Sequence, residues 1–190
     1  MRAFVAITLP ADVRANLAAL AERLRAAGVK ARWPRRENLH LTLRFLGDIT
    51  PERAAAVAAA LAETSRREAP LPLAVRGVGV FPNMRRPAVI WAGVHTSGDA
   101  LARVQAAAEA AAQAAGLPAE KKPFHPHVTV GRLRDPRRPG RLPALLAAEE
   151  AFHAGEFLAE AVVLCESALT PNGAVYTLVH SLPLTGEDSR

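Results

Sequence analysis

The chain has 190 residues, half of them apolar, with 24 basic and 18 acidic side chains and a formal charge of +6. That length and apolar content support a folded core and exclude extended disorder. No apolar run approaches the roughly 20 residues that cross a bilayer, and the lone Cys165 excludes an intrachain disulfide.

The opening Arg2 and Ala3–Leu9 superficially resemble a leader, but Pro10 and Asp12 end that run early. A cytoplasmic protein without a membrane partner is the expectation. The positive charge favours a polyanionic partner such as nucleic acid. Its weight is limited, because an alanine- and arginine-rich chain with only Lys30, Lys121 and Lys122 as lysines also suits a GC-rich genome.

Phe4–Leu9 reads as a first strand, and Pro10 opens a helix carrying Val13, Leu17, Leu20 and Leu24 at helical spacing, stopped at Gly28. Trp33–Arg36 is a basic loop leading into a strand over Leu39–Leu46. Gly47 and Asp48 are expected to turn the chain, and Thr50-Pro51-Glu52 caps a helix running to about Thr64, with Ser65–Pro70 as a loop. Strands follow over Leu71–Phe81 and Ala88–Val94. Ser97 or Asp99 then caps a helix with Leu101 and Val104 that ends at Gly116. After a strand at His127–Val130, the prolines and glycine of Asp135–Pro143 forbid regular structure. A short helix near Leu145–Glu150 and strands over Glu156–Cys165 and Ala174–Ser181 complete the reading, with Asn172-Gly173 as a hairpin turn. Strand–helix–strand–helix order occurs roughly twice, which suggests two similar α+β lobes.

Two stretches stand out. In His127-Val128-Thr129-Val130 polar and β-branched residues alternate, so histidine and threonine share one face of a strand and the valines enter the core. His40-Leu41-Thr42-Leu43 repeats the arrangement 87 positions earlier, and each copy leads into an arginine, Arg44 or Arg132. One such match is common; two are not.

Imidazole exchanges protons near neutrality, and two imidazoles at one centre can divide the work of base and acid. That division suits a phosphodiester: the base activates water and the acid protonates the departing alkoxide. Each threonine offers a hydroxyl to a phosphate oxygen, and Arg132 can neutralise charge building on phosphorus. This mechanism needs no metal and no cofactor.

Blander roles compete. A strand histidine beside threonine is often a structural hydrogen-bonded pair. His125 and His127 could begin a metal site, but a third ligand would be required and Pro126 disturbs the geometry. His95, His153 and His180 carry no motif and read as surface or structural. Arg137, Arg138 and Arg141 form either a solvated loop or a track for an RNA backbone. Cys165 reads as a small residue of a buried strand.

HLTLRFLG at His40–Gly47 and FHPHVTVGR at Phe124–Arg132 resemble the paired signatures of the 2H phosphoesterase superfamily. Within it the chain is similar to bacterial and archaeal RNA 2′,3′-cyclic phosphodiesterases, long described as 2′–5′ RNA ligases. The likeness extends to MRAFVAITLP, GVFPNMRRPAVIWAGV and ESALTPNGAVYTL. It implies one domain over residues 1–190 with a bilobal α+β fold, two pseudo-symmetric lobes of antiparallel or mixed sheet with outer helices around a central cleft. It also implies hydrolysis of RNA 2′,3′-cyclic phosphate ends to a 2′-phosphate, with weak reversible 2′–5′ ligation.

Carried over by motif, His40 would be the proton donor and His127 the proton acceptor, although near-symmetric motifs leave the reverse open. Thr42, Thr129 and Arg132 would bind the phosphate. Phe45 matches a position that stacks on the nucleobase, yet simple parity places it opposite His40, so that role needs a twist or bulge. The implied partner is RNA, and a monomer is the default. Two alternatives stand: a related 2H hydrolase of 2′–5′ oligonucleotides or a nucleotide cyclic phosphate, and an RNA-binding module with a vestigial pair. The intact histidines and threonines argue against the latter.

Overall fold

The structure is a computed structural model that describes residues 1–171 and 173–187. Among the described residues nine strands alternate with four α-helices: β1 (Arg2–Thr8), α1 (Ala11–Ala26), β2 (Ala31–Arg32), β3 (His40–Asp48), α2 (Pro51–Arg67), β4 (Leu71–Phe81), β5 (Val89–His95), α3 (Ala100–Ala114), β6 (His127–Leu133), α4 (Leu142–Ala148), β7 (His153–Ala159), β8 (Ala161–Thr170) and β9 (Gly173–Pro183). Most elements are those the periodicity predicts; β2 is added ahead of the basic loop, α4 begins at Leu142 inside the stretch expected to be irregular, and the strand expected over Glu156–Cys165 is two, β7 and β8. Asn172 lies outside the described residues, and Gly173 already begins β9.

All strand pairs are antiparallel, in the order β7-β4-β5-β6-β3-β1-β8-β9, with β2 on β6. The motif strands β6 and β3 meet at the centre of this path, four strands to a side. They pair only through Leu41 and Val128, and β2 takes over the free edge of β6 at Arg132 and Leu133. One lobe therefore combines β1 and β3 with β8 and β9, and the other holds β4 to β7. The lobes are interleaved along the chain, not successive halves of it.

Glu160 alone separates β7, at one end of this order, from β8, near the other. Six strand spacings of about 4.8 Å would put those strands about 29 Å apart in a flat sheet, so the sheet is strongly curled. A single strand over Glu156–Cys165 is the expectation that fails here. Both segments are apolar enough to read as one run, but they belong to different lobes.

One face of the sheet packs on the helices. Val13, Leu17, Leu20 and Leu24 of α1, Val57 and Leu61 of α2, and Leu101 and Val104 of α3 join Val5, Ile7, Leu41, Val128 and Leu164 in one buried cluster. Thr50 caps α2 as expected, its hydroxyl accepting from the Arg53 N–H at 3.3 Å. The helix runs on to Arg67 instead of stopping at Thr64. Buried Ser65 continues the stripe of Ala54, Val57, Ala58 and Leu61, while Glu63 and Arg67 form an exposed ion pair one turn apart. Polar residues on a helix's wet face had the composition of a loop. Gly47 and Asp48 likewise remain in β3, paired with Ala3 and Arg2, and the positive φ of Gly47 (71°) serves an irregular register rather than a turn. Among the described residues no helix is long and apolar enough to cross a membrane.

Candidate functional site

Alternation puts Leu41, Leu43, Val128 and Val130 in the core and leaves His40, Thr42, His127 and Thr129 half-buried on the other face. The two strands run antiparallel through Leu41 and Val128, so both His-Thr pairs lie on that face of the sheet's centre.

Each imidazole is fixed in the same way. His40 Nδ1 lies 2.7 Å from the Asn38 carbonyl and His127 Nδ1 lies 2.6 Å from the His125 carbonyl. A carbonyl only accepts, so Nδ1 carries the proton in both rings and Nε2 is left for chemistry. There the two differ. His40 Nε2 is 2.9 Å from the Thr42 hydroxyl, whereas His127 Nε2 has no partner among the described residues.

Aromatic rings hold both histidines. Phe4 stacks on His40 with centroids 4.7 Å apart, and Tyr176 meets the same ring edge-on at 5.3 Å. Phe81 stands edge-on to His127 at 4.9 Å. Burial among these rings lowers the His40 pKa, the Asn38 hydrogen bond opposes the change, and the charge of His127 adds to it. Burial also lowers the His127 pKa, against the His125 hydrogen bond, with Arg132 and His125 adding repulsion. That His40 feels the charge of His127 puts the two motifs in one electrostatic site.

Beyond the threonines, both strands bulge. On β3, Ala6 pairs with Thr42 and Val5 with Arg44, so Leu43 is the extra residue, and Phe4 then pairs with Phe45. Phe45 is thereby carried to the face of Thr8, Ala6 and Phe4, which is the face of His40 and Thr42. It is 56 % exposed, 6.2 Å from the Phe4 ring. The bulge supplies what simple parity lacked. On β6, Trp91 pairs with Thr129, Ile90 with Gly131 and Val89 with Arg132, so Val130 is the extra residue and exposed Arg132 joins the face of His127.

The arginines that follow the two motifs are not counterparts. Arg44 is only 8 % exposed. Its Nη1 and Nη2 donate to the carbonyls of Phe45 (2.7 Å) and Pro118 (2.5 Å), and its Nε lies 2.5 Å from Glu109 Oε2, close but not aligned as a hydrogen bond. It fastens β3 to α3. The structural mate of Arg44 is Gly131, whose missing side chain makes room for Trp33: a Cβ there would lie 2.8 Å from the indole. The mate of Arg132 is Phe45.

Sequence reading passed over Phe4, Asn38, Phe81, Trp91 and Tyr176. Trp91 sits across from Thr129 and packs so closely on Gly79 that a Cβ there would fall 2.2 Å from its ring. These residues reach the site from four different strands and a turn, and nothing in their own spacing announces it. In the basic loop, Asp135 accepts from the Arg137 N–H at 2.9 Å, and Arg137 and Arg138 are exposed.

The family profile described as LigT-like phosphoesterase matches residues 7–91 and 94–176, one stretch containing each His-Thr motif. The chain belongs to the LigT-like phosphoesterase family. Among curated relatives, the RNA 2′,3′-cyclic phosphodiesterase of Aquifex aeolicus is 35 % identical over 83 % of this chain and 84 % of its own length. The protein of that name from Methanothermobacter thermautotrophicus is 31 % identical over 93 % and 95 %. Among solved structures, a Thermus thermophilus protein aligns with TM-score 0.80 at 31 % identity, covering 99 % of this chain and all of that one. E. coli LigT complexed with 3′-AMP aligns with TM-score 0.77 at 26 % identity, covering 97 % and 98 %. The LigT-like phosphoesterase is thus an enzyme with the bilobal α+β fold expected from its motifs.

Proposed function

We propose that this LigT-like phosphoesterase hydrolyses the 2′,3′-cyclic phosphate end of RNA to a 2′-phosphate, using His40 and His127 as a proton-transfer pair. The carrying observation is the matched pinning of both rings: each Nδ1–H is tied to the carbonyl two residues earlier, and each Nε2 is left for proton transfer. The open Nε2 of His127 takes a proton from water as that water attacks phosphorus. The 3′ oxygen leaves and takes the Nε2 proton of His40, which enters this step as the imidazolium with its Nδ1–H still held by Asn38 and the Thr42 hydroxyl beside Nε2. Thr42, Thr129 and Arg132 hold the non-bridging oxygens, and Arg132 offsets their growing charge.

Phe45, exposed on the same face, offers its ring to the terminal base. With a 5′-hydroxyl in place of water, the same transfer forms a 2′–5′ linkage, which makes weak ligation a side reaction of the same geometry. Residues 1–190 act as one catalytic unit, as a monomer in the cytoplasm. The names of the curated relatives and the 3′-AMP complex of E. coli LigT support this substrate class.

The test is a short RNA ending in a 2′,3′-cyclic phosphate, incubated with chelator and with wild type, His40→Ala or His127→Ala. Conversion to a 2′-phosphate that collapses in both variants is the expected result. A 3′-phosphate product would keep the pair and reverse the substrate's orientation. RNA binding without turnover by wild type would sink the enzymatic reading of the pair.

A further inference from the structure

Away from the histidine pair, the same face of the sheet carries a second polar centre. Gly93 on β5 pairs with His127 on one side and with Arg76 of β4 on the other. Arg76 pairs in turn with His153 at the end of β7. His95 follows Gly93 by two residues, on the same face, and bends back over it: a Cβ on Gly93 would lie 2.9 Å from His95 Nε2. That nitrogen is 3.3 Å from the Arg76 carbonyl, to which it donates, so the imidazole stands in the space a side chain at position 93 would fill.

Beyond it lies a cavity of about 430 Å³ lined by Arg76, Gly77, His95, Glu150, Phe152 and His153. Among the described residues the Arg76 guanidinium has neither a hydrogen bond nor an ion-pair partner. Its surroundings offer two imidazoles and two carboxylates, Glu150 in the lining and Glu156, which lies 3.7 Å from His153 Nε2. Two strand spacings, about 10 Å, separate the backbones of His127 and Arg76.

We infer that this cavity is an anion subsite for the RNA strand upstream of the reacting phosphate. The subsite rests on the reading of His40 and His127 given above and extends it: the substrate is an oligonucleotide, not a mononucleotide. Its backbone leaves the histidine pair across the His95 ring that covers Gly93, and Arg76 receives an upstream phosphodiester beside the His153 imidazole. Exposed side chains on this face set the direction. On the His40 side Phe45, 56 % exposed, suits a base. The unpaired guanidinium is on the His127 side. Glu150 works against the anion, and that gives the subsite a second handle.

Two substrates separate the subsite from the reaction: a nucleoside 2′,3′-cyclic monophosphate, and a tetranucleotide ending in the same cyclic phosphate. Arg76→Ala is expected to lower kcat/KM for the tetranucleotide about tenfold, the worth of one hydrogen bond to a charged group, with the mononucleotide unchanged. Glu150→Gln is expected to raise the tetranucleotide value. Fluorescence anisotropy with a labelled tetranucleotide ending in a 2′-phosphate reads binding without turnover. There Arg76→Ala should weaken binding and lower the slope of log K against log salt by about 0.7. Equal losses on both substrates, or unchanged tetranucleotide binding, would overturn the subsite. Wild type that turns over neither substrate would count against the hydrolytic reading, and the binding measurement would still decide the subsite.

Discussion

On β3 the bulge after Thr42 delivers Phe45 to the face of His40; on β6 the bulge after Thr129 delivers Arg132 to the face of His127. The offsets are the same, 87 positions apart in each case, and so is the pinning of Nδ1. What differs is the chemistry carried on this common scaffold. Both lobes hold their histidine with rings, Phe4 and Tyr176 against His40 and Phe81 against His127. The lobe with β3 adds the exposed ring of Phe45, whereas the lobe with β6 adds guanidinium groups, Arg132 beside the histidine and Arg76 two strands away. A near-symmetric backbone thus holds an asymmetric pair of exposed side chains, Phe45 and Arg132. The third motif position shows the same divergence, with Arg44 buried as a tie to α3 and Gly131 bare so that Trp33 can cover it.

The comparison can be broken at several points. The shared feature comes first: His40→Ala and His127→Ala should each lower kcat by about two to four orders of magnitude, measured on a cyclic-phosphate RNA end. Activity surviving either change would remove that histidine from the pair. Next are the mates that differ. Arg132→Ala should cost about 100- to 1,000-fold in kcat, the scale of losing one charge-stabilising donor. Phe45→Ala should cost about 1–3 kcal/mol, seen in KM. Equal kinetic signatures for the two would mean that the lobes do not divide base and phosphate between them.

Arg44→Met tests stability instead. It strands Glu109 and two carbonyls, and should lower unfolding free energy by about 3 kcal/mol in denaturant titration with kcat little changed. Gly131→Ala, pressing a methyl on Trp33, should cost about 1–3 kcal/mol by overpacking.

The smallest effect expected is in pH dependence. Burial lowers both imidazole pKa values, so the maximum of kcat/KM should fall on the acid side of about pH 6.5, the ordinary imidazole value. Folding is linked with the same sign. The folded state binds these protons more weakly than the unfolded chain, so stability is highest with both rings neutral. It declines as pH falls below about 6.5 toward the depressed values. A rate maximum on the alkaline side would show that desolvation does not govern the pair.

The strand alternation, the caps and the motif pair were legible because each is a local pattern. His40 with Thr42 and His127 with Thr129 announce one face by period two, and Thr50-Pro51 announces a helix start. Phe45 was legible only as a conflict between motif and parity, because a bulge is a property of the pairing and appears when β1 sits beside β3. The equivalence of Arg44 with Arg132 failed for the same reason: Arg44 follows its threonine by two residues and Arg132 by three, and the bulges send them to opposite faces. The break at Glu160 was hidden because two short apolar strands in series look like one long one. Phe4, Phe81 and Tyr176 reach the histidines only through tertiary pairing.

The interleaved topology has a consequence for how the molecule is made. The lobe containing β4 to β7 is drawn from one stretch, 71–159, and its strands can pair as they emerge. The other lobe waits for its last two strands: Ala3 finds Glu166, and Thr8 is already beside His40 long before Phe4 meets Cys165. Tyr176, the edge that closes against His40, arrives later still. The surroundings of His40 are thus drawn from both ends of the described chain, from Phe4 to Tyr176, whereas Phe81, Gly93 and His125 around His127 come from a single stretch.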